Sequence, residues 1–128
     1  MASKLTWIRL ELARTPEFPE GSAHHGYELT APLDGSGHID PEGWRAQRKL
    51  CTVRRFWAGE DDETGWLVHA HGRTWAFSYG KGEPGAAGGA SGSEPIYHLE
   101  GHVFLPGSYV SVTEHDGKTR PFKVVQVA

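Results

Sequence analysis

Residues 105–127, LPGSYVSVTEHDGKTRPFKVVQV, hold two β-rich runs and two turn signals. Pro106 and Gly107 stand where a type II turn wants them: proline presets the first central φ and glycine supplies the positive φ of the second. Asp116-Gly117 then separates a run around Tyr109 to Thr113 from a run around Phe122 to Val127. A two-residue turn there would set Val110 opposite Lys123 and divide the apolar positions between two faces. A three-residue bulged turn keeps Val110, Val112, Phe122 and Val124 on one face, so the bulged turn is expected.

The same period of two recurs upstream. Ile8, Leu10 and Leu12 alternate with Trp7, Arg9 and Glu11, predicting a strand over residues 5–13. Residues 15–25 contain Pro16, Pro19 and Gly21 and read as an irregular connection. Tyr27, Leu29, Ala31 and Leu33 alternate with Glu28 and Thr30, and Pro32 should end that strand or place it at an edge. Asp40-Pro41-Glu42 carries the start signals of a helix: an acceptor at the N-cap, proline at the first position and an acid near the positive end of the dipole. The helix should run to about Lys49, weakened by Gly43. Residues 50–57 read as a further strand, and Glu60 to Glu63 as an acidic turn. Trp66, Val68 and Ala70 alternate with Leu67, His69 and His71, and Trp75, Phe77 and Tyr79 with Ala76 and Ser78, which predicts a hairpin through Gly72. Residues 80–95 contain six glycines and no large apolar side chain, so a flexible glycine-rich loop inside one domain is expected there.

The chain of 128 residues has 38% hydrophobic residues, five Trp, five Phe and four Tyr, enough apolar volume for one core. A single domain over residues 1–128 is expected. Six to eight short strands, one short helix and no βαβ alternation give an all-β, mainly antiparallel fold: a small, partly open barrel or a sandwich. Closure is preferred because it removes exposed strand edges. Cys51 is the only cysteine. It rules out an intrachain disulfide and, with no signal-like apolar stretch in residues 1–14, points to a reducing cytoplasm. No apolar run approaches the ~20 residues of a membrane span. A formal net charge of −3 argues against general affinity for nucleic acid.

Residues 104–117, FLPGSYVSVTEHDG, resemble a segment of small bacterial proteins of uncharacterised activity. The resemblance implies a bacterial origin and a barrel-like terminal hairpin. It brings no ligand or catalytic residue with it.

Three constellations are candidates for function. His69-Ala70-His71 places two imidazoles two residues apart on a strand, on one face and within reach of one cation. His98 and His102 are the available partners, with Glu100 as a further carboxylate. Four such ligands suit zinc, nickel or iron, and an open coordination position would activate water. Convergence requires the strands of His69 and His98 to be neighbours. The pair resembles that of the cupins, but residues 72–76 supply no following glutamate and no cupin activity is carried over. Second, Arg45, Arg48, Arg54 and Arg55, interleaved with Trp44, Phe56 and Trp57, could bind an anion or single-stranded nucleic acid, unless the acids of residues 60–63 neutralise them. Third, Trp7, Trp57 and Tyr109 fall on the solvent side of their strands and could contact a protein or small-molecule partner, or a second copy of the chain. Cys51, among alternating apolar neighbours, reads as a small buried hydrophobe and not as a nucleophile. No catalytic set is complete, so a non-catalytic binding or interaction module is the leading expectation. A histidine-ligated metal protein or metal-dependent enzyme is the alternative, and an anion-binding protein the third.

Overall fold

A computed structural model describes residues 4–69, 75–79, 96–99, 103–114 and 117–128. The glycine-rich stretch expected to form a loop, residues 80–95, lies outside them. The described chain is all-β and antiparallel with one short helix. Its strands are β1 (Lys4–Leu12), β2 (Ser22–Leu33), β3 (Thr52–Trp57), β4 (Glu63–His69), β5 (Trp75–Tyr79), β6 (Ile96–Leu99), β7 (Tyr109–Thr113) and β8 (Thr119–Val127). Each strand pairs with the next, and β8 pairs back onto β1, so the sheet closes into an up-and-down barrel. Among the described residues its narrowest seam is β6–β7, joined by two residue pairs, His98 with Thr113 and Leu99 with Val112.

The inward-facing residues are those the period of two selects. Ile8, Leu10 and Leu12 from β1, Tyr27, Leu29 and Ala31 from β2, and Val110, Val112, Phe122 and Val124 from β7 and β8 are all buried. Together with Val53, Leu67 and Phe77 they fill the lumen, as expected for a barrel of eight strands. In β4 the structure reverses the face that the alternation of Trp66 and Val68 with Leu67 and His69 favours: Leu67 is buried inside, whereas Trp66 and Val68 face outward and are half-buried, because the pairing of Gly65 with the core residue Val53 sets the phase of the strand.

The terminal hairpin takes the expected bulged form. Val110 pairs with Phe122 and Thr113 with Thr119. Beyond them Glu114 N–H donates to Lys118 O (2.9 Å) and Gly117 N–H to Glu114 O (2.8 Å), with Gly117 at φ +83°. At the other end of β7, Ser108 N–H donates to Leu105 O (2.9 Å) and Gly107 has φ +91°, the geometry of the type II turn.

The helix α1 (Pro41–Gln47) starts as its sequence dictates: Asp40 Oδ1 accepts from Glu42 N–H at 3.1 Å, and Pro41 occupies the first position. It passes into a 3-10 turn over Arg48–Leu50, so the helical stretch stops one residue beyond the expected end. Pro32 acts as an edge signal. The β2–β3 pairing stops at Leu29–Val53, while β2 continues to Leu33 paired with β1 alone. Pro32 O accepts the Asp40 N–H at 2.9 Å, and α1 closes the barrel end that this divergence leaves open. There Trp44 Nε1–H donates to Leu67 O (2.8 Å), and the indole packs edge-on against Trp75 with ring centroids 5.6 Å apart.

Strand β2 begins earlier than expected, at Ser22. The β1–β2 register jumps from Glu11–Gly26 to Leu12–Ser22, a wide bulge that pushes Ala23 and His24 outward. Next to it, Gly26 is required by close approach: a Cβ there would stand 2.0 Å from Leu10 O and 3.0 Å from Phe56 Cζ. Phe56 faces outward yet is buried, because its ring covers Gly26 and lies under the Arg9 guanidinium, 4.5 Å from the ring centroid. We therefore expect Gly26→Ala to destabilise the protein by about 2–3 kcal/mol in urea denaturation, as overpacking does. Gly59→Ala, at φ +85° in open space, should cost only about 1 kcal/mol. Equal costs at the two positions would show that the strands around Gly26 relax to take up the added methyl.

Candidate functional site

The two barrel ends differ in chemistry. At the end of α1, His69 stacks on Trp75 (centroids 4.3 Å apart, planes at 23°) and meets Trp44 edge-on at 6.0 Å. Burial, with a smaller contribution from Arg45, holds its pKa below the ordinary histidine value. His69 thus belongs to an aromatic cluster. Its strand β4 is not the neighbour of β6, which carries His98: β5 runs between them, with His69 opposite Trp75 and His98 opposite Ala76. The adjacency that a four-histidine centre requires is therefore not met. His71, Glu100 and His102 lie outside the described residues, and among the described residues no three His, Cys, Asp or Glu side chains come together as a metal site.

The opposite end is ionic. Glu114, 3% exposed, accepts Arg120 Nη1–H on Oε1 at 2.6 Å, Arg55 Nε–H on Oε2 at 3.0 Å, and the Tyr27 hydroxyl on the same Oε2. Burial by itself would lower the pKa of Arg55, but hydrogen bonding and charge attraction to Glu114 outweigh it and raise that pKa. Arg55 also reaches Glu60 (3.2 Å) and Glu63 (3.7 Å), and its guanidinium covers Trp57 at 4.3 Å. His25 caps the cluster, 8% exposed, between Phe18 and Trp57, with Nδ1 2.7 Å from Ser22 Oγ. Replacing Glu114 by Gln withdraws the charge that the buried Arg55 and the half-buried Arg120 share, and should cost about 3–5 kcal/mol. Tyr27→Phe should cost about 1–2 kcal/mol, both read from chemical denaturation. Near-neutral Glu114→Gln would mean that the cluster is solvated in solution.

The four arginines expected to form one anion-binding patch are dispersed. Arg45 and Arg48 are exposed on α1 and the turn after it, Arg55 points into the barrel, and Arg54 points out. The acidic turn does neutralise the strand pair. Arg54 contacts Asp62 (2.6 Å) and Glu28 (2.6 Å), and Arg9 contacts Glu28 (2.7 Å) and Glu11 (2.9 Å), making a row of alternating charges on the outer wall. Cys51 is fully buried and its thiol is pushed up to about 11 by burial, which keeps it protonated and inert.

Trp7, Trp57 and Tyr109 do not share one surface. Trp57 packs against the core at the ionic end. Tyr109, 61% exposed, borders a groove with Glu11, Arg14, Glu20 and Lys123. Trp7 borders a cleft of about 620 Å³ on the outer wall of β1–β4, with Trp66 at its other side. Between them lie Thr30, Thr52 and Thr64 over Gly65, and Glu28 and Arg54 line one flank. Trp7 pairs with Thr30, and Thr52 with Trp66, so the backbones that carry the two indoles are three strand spacings apart, about 14 Å. The groove beside Tyr109 is as large but is bordered mainly by charged and small residues. The cleft is the site with an aromatic side chain at both borders. Trp7 is legible as an outward residue in the sequence and Trp66 is not, because Trp66 and Val68 are the apolar set of β4 and read as its core face.

No family model, curated protein or solved structure matches this chain. Among the described residues no helix is long and apolar enough to cross a membrane.

His25 and His69 give the protein a pH dependence whose sign is set by burial. Both have folded pKa values below the unfolded value near 6.5. For His25, burial is the main cause, followed by His24 and Arg55, opposed by Glu60 and Glu114. The stability that comes from keeping both neutral is present above pH 6.5 and is lost as pH falls from there through the folded values. Tm should therefore drop between pH 7 and 5, and His25→Phe with His69→Phe should flatten that slope. An unchanged slope in the double variant would place the acid sensitivity elsewhere.

Proposed function

We propose that this protein is a non-catalytic binding module, and that its ligand seats on the outer wall in the cleft between Trp7 and Trp66. The observation that carries the reading is the placement of two half-buried indoles at the borders of one cleft, with threonine hydroxyls between them. A volume of about 620 Å³ falls within the range of small-molecule sites, about 300–1,000 Å³. The barrel's interior supports the same reading by elimination of place. Eight-stranded barrels that carry a ligand inside leave the lumen open, whereas here Tyr27, Phe77, Phe122 and their neighbours fill it. Binding therefore falls to the wall. A cytoplasmic location and a bacterial origin belong to the same proposal, supported by the lone Cys51 and the resemblance of residues 104–117.

The test is a fragment screen by amide NMR on the full chain, with sugars, aromatic acids, amines and short peptides as probes. Binding fragments should shift the amides of Trp7, Thr30, Thr52, Thr64 and Trp66 together, and Trp7→Ala/Trp66→Ala should abolish those shifts while leaving the dispersion of the spectrum intact. Fragments that bind only beside Tyr109 or at the ionic end, or none at all, would overturn the assignment.

A further inference from the structure

We infer that the cleft between Trp7 and Trp66 takes a neutral saccharide chain; this rests on the cleft being the binding site and names the chemistry it selects. Three features of the lining lead there. The indole faces carry partial negative charge, which attracts the weakly positive C–H groups on the flat face of a pyranose ring. Thr30, Thr52 and Thr64 place three hydroxyls along the floor, each able both to donate and to accept, and a ligand with a hydroxyl on nearly every carbon can use both capacities.

The third feature is charge. Glu28 and Arg54 on the flank are bonded to each other at 2.6 Å, and each has a further partner, Arg9 for Glu28 and Asp62 for Arg54. An anionic ligand would meet a guanidinium already committed to two carboxylates, and a cationic one a carboxylate already committed to two guanidiniums. A neutral polyol loses nothing to this arrangement and gains polar groups held in fixed positions. The row from Trp7 through Thr30 and Thr52 to Trp66 covers three strand spacings of backbone, about 14 Å, so a ligand that follows the whole row is a chain of rings and not a single one. The cleft is on the wall and not at a sheet edge, so it lacks the row of unpaired backbone groups through which an extended peptide is recognised.

The experiment is a titration of the full chain with hexasaccharides of β-1,4-glucose, β-1,4-N-acetylglucosamine, β-1,4-xylose and α-1,4-glucose, followed by tryptophan fluorescence and amide NMR. Inorganic phosphate and a tryptophan-containing tripeptide serve as comparison probes. At least one hexasaccharide should bind saturably, shift the amides of Trp7 and Trp66, and bind more tightly than its own disaccharide. Trp66→Ala and Trp7→Ala should each weaken it about tenfold, the loss of one stacked ring. Thr52→Val, which preserves shape, should also weaken it, and Tyr109→Ala should leave it unchanged. If no hexasaccharide binds but the tripeptide or other fragments shift the cleft amides, the saccharide assignment is overturned and the binding site stands. If no probe shifts the cleft amides, both are overturned.

Discussion

The carboxylate of Glu114 is the constraint on which the barrel's architecture turns. It follows the last residue of β7, yet it is buried, and its two oxygens draw partners from β2, β3 and β8: Tyr27, Arg55 and Arg120. Desolvating a carboxylate costs several kcal/mol unless hydrogen bonds and opposite charge replace the lost water. This set does so, but a buried ionic cluster is a poor source of net stability. What it supplies is discrimination between registers. A slip of one residue in β3 would turn Arg55 outward and bring Arg54 in, breaking the outer row of ion pairs and stripping Glu114 of its partner in the same step.

The opposite end is built on a different principle. Trp44, His69 and Trp75 close it with ring contacts and a single indole hydrogen bond to Leu67 O, and α1 is the device that delivers Trp44. Between an ionic end and an aromatic end the lumen is packed with aliphatic and aromatic side chains. A barrel built this way has its specific chemistry outside, where the alternation of strand residues displays every second side chain.

Much of this was legible in the sequence, and the reason is local. Where one alternating set was apolar and the other polar, as in Ile8, Leu10 and Leu12, the inward face followed from the period alone. The type II turn at Pro106-Gly107 and the bulged turn at Gly117 followed from glycine's access to positive φ. Legibility stopped where the deciding partner was distant or where the more apolar set of a strand faces outward. Glu114 does not stand out in the sequence because its partner Arg55 is 59 residues away. Trp66 was hidden because it alternates with Leu67 and His69 as part of the more apolar set, which reads as the core face. Arg54 and Arg55 read as one basic patch because adjacency in sequence is opposition in a strand: one joins the outer ion pairs and the other the buried cluster. The histidines likewise could be counted but not assembled, since the strand order that puts β5 between His69 and His98 is a long-range property.

The cleft and the helix have a common origin. Pro32 has no N–H to offer β3, and beyond Leu29 strand β2 keeps only its pairing with β1. The freed side of β2 accepts the chain entering α1, through Pro32 O and Asp40 N–H, and the helix can then lower Trp44 into the barrel end. The same divergence leaves Thr30 and Thr52 facing each other one step past the last ladder pair. Trp7 and Trp66, on the next strands out, become the walls of a recess instead of two points on a smooth sheet. The end of the β2–β3 ladder, where Pro32 O turns to the chain entering α1, thus underlies both how this end of the barrel is closed and why its outer wall is not flat.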